Sequence, residues 1–99
     1  MKTLICEQPG QLAYGSKEKP LPEKGSAILQ VKRIGICGTD LHAFEGTQPF
    51  FNYPRILGHE LAAVIDAVEP GHGFAAGDQV SIIPYFNCGT CIACRNGLP

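Results

Sequence analysis

The run Ser26-Ala27-Ile28-Leu29-Gln30-Val31-Lys32-Arg33-Ile34-Gly35-Ile36-Cys37-Gly38-Thr39 decides the fold class. Ala27, Leu29 and Val31 alternate with Gln30 and Lys32, the period of two that a half-buried strand requires. The expected strand covers Ser26 to Ile36. Gly35 and Gly38 bracket Cys37 at its end, and Thr39 is placed to cap a short helix from Asp40 to Glu45, which Gly46 stops. A strand that turns at once into a helix puts the Cys37 thiol at an element junction.

On the N-terminal side, Lys2 to Glu7 is a short β-type run ended by Pro9-Gly10, and Gln11 to Tyr14 is a candidate partner strand. Ser16 to Gly25, rich in charge and carrying Pro20 and Pro22, reads as a surface loop. On the C-terminal side, Thr47 to Tyr53 reads as a loop closed by Pro54. His59 to Glu69 is a second strand, apolar on both faces as a buried strand is. Pro70-Gly71-His72-Gly73 and Gly77-Asp78 are turns, leading into a strand from Gln79 to Ile83. No strand or helix pattern is visible from Cys88 to Pro99. Short strands separated by turns, with one helical turn, predict a mainly β, barrel-like domain and exclude a helix bundle.

The length of 99 residues allows one domain. Surface scaling gives roughly 5,500 Å² of exposed surface for a compact chain of this mass. One modest core fits, but not a core plus a nucleotide-binding domain of roughly 150 residues. Twelve glycines and eight prolines supply the turns. With a net charge of −1 there is no basic field for nucleic acid or an anionic membrane. The start carries Glu7 too early for a signal peptide, and the longest apolar stretch, Leu61 to Val68, is broken by Asp66, so no bilayer span is expected. A reduced, cytoplasmic protein is the expectation, with the five cysteines kept as thiols.

Cys88-Gly89-Thr90-Cys91-Ile92-Ala93-Cys94 is the sharpest chemical signal. Thiols at that spacing in a loop can turn successive sulfurs toward one ion, although a structural zinc needs four ligands. An iron–sulfur motif opens the same way, but the position of its next cysteine is Leu98. Three unligated surface thiols would be an oxidation liability. Cys37 and His59 could share a zinc from the ends of adjacent strands; taken alone, a lone Cys and a lone His read as core residues. Thr39 and His42 fall on one face of a helical turn and could handle a proton, or could serve as a cap and a surface residue. Gly71-His72-Gly73-Phe74-Ala75-Ala76 matches G-x-G-x-x-A, but the turn at Gly77-Asp78 leaves no helix to follow, so a dinucleotide site is rejected.

Gly35-Ile36-Cys37-Gly38-Thr39-Asp40-Leu41-His42, Gly58-His59-Glu60, Gly77-Asp78-Gln79-Val80 and the three-cysteine loop, in that order, resemble the N-terminal part of the zinc-dependent medium-chain alcohol and polyol dehydrogenases. The resemblance covers nearly the whole chain. It implies a GroES-like β-barrel, here an incomplete catalytic domain over residues 1–99, with a structural-zinc lobe over 84–99. It implies Cys37, His59 and Glu60 at a catalytic zinc, and Cys88, Cys91 and Cys94 at a structural zinc. Thr39 is implied to take the proton of a substrate alcohol, and His42 to relay it outward.

The family's fourth structural cysteine would fall beyond Pro99, as would a third catalytic ligand and the Rossmann domain that binds NAD or NADP. No cofactor-binding residue is therefore expected here, and the 99-residue chain alone is expected to be inactive. The stretch Gln48 to Arg55, with Ile83-Pro84-Tyr85, is similar to members that oxidise polyols and sugar acids, such as hexonate dehydrogenases. Asn52 and Arg55 are candidates to meet hydroxyls or a carboxylate. The family is commonly dimeric or tetrameric. The alternative is a non-enzymatic zinc-binding module that retains the barrel.

Overall fold

A computed structural model of the chain describes residues 1–98; Pro99, the last position of the expected zinc lobe, lies outside the described residues. The order is β1 (Lys2–Gln8), β2 (Gln11–Ser16), β3 (Ala27–Gly35), α1 (Gly38–Glu45), β4 (Arg55–Ile56), β5 (Glu60–Val68), β6 (Gln79–Ser81) and α2 (Ile92–Arg95). The expected mainly β fold is found. Its strands form two antiparallel three-stranded sheets, β2-β1-β4 and β3-β5-β6. Among the described residues they do not close into a barrel.

Pro9-Gly10 turns β1 into β2, pairing Lys2 with Ser16 and Gln8 with Gln11. Strand β4 was not expected: Arg55 and Ile56, just past Pro54, pair with Cys6 and Ile5. Two residues are too few to show a period. In the second sheet β3 runs against β5 from Ala27↔Val68 to Gly35↔Glu60, with register shifts after Ile28 and Val31.

Strand β5 departs from the expected burial on both faces. Ala63 and Ile65 are buried, whereas Glu60, Ala62 and Asp66 on the alternate face are exposed. One face carries the core, and no layer packs over the other among the described residues. Among the described residues the buried apolar set is small, comprising Cys6, Ala43, Ala63 and Ile65. The exposed surface is 8091 Å², well above the roughly 5,500 Å² of a compact chain of this mass. The molecule is a slab of 44 × 37 × 20 Å.

Helix α1 begins earlier than expected. Its N-cap is Cys37, not Thr39, because the Cys37 carbonyl already accepts from the Asp40 and Leu41 amides at 3.1 and 3.4 Å. Gly46 ends the helix at φ 80°. The β1–β2 turn docks on that end: the Gly10 amide donates to the Phe44 carbonyl at 2.7 Å. The Tyr53 hydroxyl donates to the Ala43 carbonyl, tying the loop before β4 to the same helix.

The expectation of no helix after Cys88 is also corrected. Cys91 caps the single turn α2, whose carbonyls receive the amides of Gly97 and Leu98. One turn is shorter than any helical period can reveal. Residues 70–78, by contrast, form the expected turns. The Asp78 side chain accepts from the Ala75 amide at 2.9 Å, and no helix follows the glycine pattern.

Candidate metal centre

Pairing of Gly35 with Glu60 brings the end of β3 beside the start of β5. Cys37 follows the first strand and His59 precedes the second, so their side chains converge. Cys37 Sγ lies 3.2 Å from His59 Nε2. Thr39 Oγ1, from the first turn of α1, is 2.8 Å from that sulfur and 3.4 Å from that nitrogen.

Asp40 organises this corner, and the sequence reading gave it no site role. Its Oδ2 accepts the Cys37 amide at 3.0 Å and its Oδ1 accepts the Gly58 amide at 3.2 Å. Oδ1 also lies 3.6 Å from His59 Nδ1, and the Asp40 side chain is only 12% exposed. An acid at the third helical position that bonds back to the N-cap amide is one half of a capping box, so Cys37-x-x-Asp40 carried a signal for it. Gly58 makes the approach possible. Its φ is 103°, and a Cβ there would stand 2.8 Å from Ile34 Cγ2.

Ligand-type atoms of Cys37, Asp40 and His59 lie within 4.8 Å of one another. Glu60 is outside this group. Its side chain lies over Gly35, where an added Cβ would be 2.6 Å from Glu60 Oε2. Glu60 and His59 instead line a common open groove of about 510 Å³ with Arg33 and Tyr85. His42 is apart from the cluster. Its Nδ1 faces Thr47 Oγ1 at 3.3 Å and Glu45 Oε2 at 3.8 Å, and its side chain is 60% exposed. Among the described residues no hydrogen bond links Thr39 to His42. Arg55 stacks its guanidinium 4.0 Å from the centre of the Phe51 ring.

The second cluster is the three-cysteine loop. Cys94 Sγ lies 3.4 Å from Cys91 Sγ and 3.8 Å from Cys88 Sγ. The Cys91 amide donates to Cys88 Sγ at 3.3 Å. Hydrogen bonds from the Thr90 backbone first, then the Cys91 backbone, hold the Cys88 thiol down to about 6 from an ordinary 9.0.

Both donor sets suit zinc. Two sulfurs bound tetrahedrally at about 2.3 Å stand roughly 3.8 Å apart, and a sulfur and an imidazole nitrogen roughly 3.6 Å. The separations found are within a few tenths of an ångström of those edges. Thiolate and imidazole are also the ligand types zinc prefers.

The family model for the alcohol dehydrogenase GroES-like domain matches residues 23–99. The chain belongs to that family. L-galactonate-5-dehydrogenase of Escherichia coli K12 is 47% identical over 100 residues, covering 98% of this chain and 29% of the relative. A zinc-type alcohol dehydrogenase-like protein of Haemophilus influenzae is 40% identical, with 98% of this chain and 29% of that protein covered. Among solved structures, the alcohol dehydrogenase rspB of E. coli CFT073, complexed with NADH, superposes with a TM-score of 0.83 at 40% identity. That match covers 99% of this chain and 28% of the other. This GroES-like chain thus spans under a third of the length of these relatives. No helix among the described residues is long and apolar enough to cross a membrane.

Proposed function

We propose that this GroES-like chain is the catalytic-domain portion of a zinc-dependent oxidoreductase that moves hydride from an alcohol, polyol or sugar acid to NAD or NADP. The observation that carries the reading is the convergence of Cys37 Sγ and His59 Nε2 at 3.2 Å, with the Thr39 hydroxyl against both. In this reading residues 1–99 form one domain, with 84–99 as its second metal lobe.

Cys37 and His59 would hold the catalytic zinc, and Cys88, Cys91 and Cys94 a structural one. Zinc in the first position supplies Lewis acidity, which lowers the pKa of a hydroxyl oxygen beside it. Asp40 Oδ1, facing His59 Nδ1, favours the tautomer that leaves the Nε2 lone pair pointing at Cys37. Thr39 Oγ1 would take the substrate proton, since its hydroxyl lies against both ligand atoms. His42 receives it on the solvent side. With no direct bond between the two, the passage needs a bridging hydroxyl from water or ligand. Glu60 shares the groove with His59 and could reach the metal only by leaving Gly35.

The substrate class follows the relatives, which include L-galactonate-5-dehydrogenase and a sorbitol dehydrogenase. Asn52 and Arg55 are the side chains we assign to hydroxyl or carboxylate contact, and Arg55 would have to turn from Phe51. NAD or NADP would bind outside this chain. A cytoplasmic homo-oligomer, dimer or tetramer, completes the reading. The test is reduction of NAD or NADP by the full-length polypeptide that carries these residues, offered hexonates and polyols. Turnover that Cys37→Ala abolishes is expected. Turnover and metal content unchanged in that variant would end the proposal, and zinc binding without any turnover would favour the non-enzymatic module. The 99-residue chain alone is expected to show none.

A further inference from the structure

The three-cysteine loop holds a second kind of chemistry. Cys91 caps helix α2 and Cys94 sits one turn later, so residues three apart on a helix place their Cβ atoms about 5–6 Å from each other. A disulfide needs a Cβ separation of about 3.5–4.5 Å, within reach of a small shift in a single exposed turn. Their sulfurs already face each other at 3.4 Å, closer than the 3.8 Å between Cys88 and Cys94. Cys88 Sγ accepts the Cys91 amide, which makes it the best leaving sulfur when the three thiols exchange, so any link it forms first passes to Cys91 and Cys94. Cys88 and Cys91 are exposed and Cys94 is half-buried, so a small oxidant reaches the group.

We propose that Cys91 and Cys94 form a dithiol–disulfide pair that closes when no metal occupies the loop, with Cys88 left as the free thiol. The oxidant is a hydroperoxide. One thiol sulfur attacks the peroxide oxygen, giving a sulfenic acid and an alcohol, or water from hydrogen peroxide. The second thiol sulfur then attacks the sulfenic sulfur, forming the S–S bond and releasing water. The thiols lose two protons and two electrons, and the cleaved O–O bond takes them up. Closure removes two of the three soft donors, and one remaining thiol does not retain zinc. The pair therefore decides whether the lobe can be filled. The proposal rests on the thiol geometry and is independent of the dehydrogenase reading.

The test treats the full chain, stripped of metal by a chelator, with stoichiometric hydrogen peroxide, followed by alkylation and peptide mass mapping. The expected result is a Cys91–Cys94 link with the loss of two hydrogens, an alkylated Cys88, and loss of the loop's own equivalent of zinc, read in a Cys37→Ser background and restored by dithiothreitol. Zinc-loaded chain should resist the same treatment. Cys88→Ser should still close the link, and Cys94→Ser should not. A disulfide that includes Cys88, sulfinic acid without any link, or closure with zinc uptake intact in the Cys37→Ser background would each overturn the proposal. Because the readout is a covalent bond within one short loop, it does not depend on a variant's overall stability.

Discussion

Asp40 grips both sides of the Cys37–His59 corner. One carboxylate oxygen accepts the Cys37 amide at 3.0 Å, and the other lies 3.6 Å from His59 Nδ1. A residue that caps a helix thereby also faces the imidazole, so the local rule that starts α1 shapes the Cys37–His59 corner as well.

Asp40→Ala should therefore act twice. Loss of the cap contact should cost about 1 kcal/mol of stability, read from denaturant unfolding. Loss of the His59 contact should weaken zinc binding by about 10–100-fold, read by competition with a chromophoric chelator. Asp40→Asn keeps the cap acceptor and should show mainly the second effect. Equal metal affinity in wild type and Asp40→Asn would remove Asp40 from the site.

Gly58→Ala should destabilise the fold by about 1–3 kcal/mol. The position has φ 103°, and the new methyl would meet Ile34 Cγ2 at 2.8 Å. A melting temperature unchanged in this variant would mean that the turn before His59 is not held as described.

The Cys88 thiol should titrate near 6, against an ordinary 9.0. Its folded-state value is depressed, so the thiolate stabilises the loop fully above the ordinary value, and that contribution is lost as pH falls through about 6. In metal-free protein the alkylation rate at Cys88, followed by mass mapping, should reach half its maximum near pH 6. A half-maximum near the ordinary thiol value would contradict the hydrogen-bonded loop.

The sequence reading and the structure agree where patterns are long. The alternation in β3 and the Pro9-Gly10 turn were readable because each is local. So was the placement of Cys37 at the exit of β3. What escaped was short or relational. Strand β4 and helix α2 contain fewer residues than any period needs, and β4 exists only because β1 offers an edge. The N-cap was assigned to Thr39 because hydroxyls are the usual caps, whereas Asp40 bonding back made Cys37 the cap. The family resemblance implies Glu60 at the catalytic zinc, and where its side chain lies follows from the backbone. Successive side chains of an extended segment point to opposite faces, so His59 turns toward Cys37 while Glu60 lies over Gly35.

The central claim is that Cys37 and His59 hold one zinc, separate from that of the three-cysteine loop. Cobalt titration of the chain carrying Cys88→Ser, Cys91→Ser and Cys94→Ser tests it most directly, through the thiolate-to-cobalt absorption band. The account predicts that the band remains in that background, at one metal per chain, and disappears when Cys37→Ser is added. No band with the loop thiols removed, or a band that survives Cys37→Ser, would contradict it.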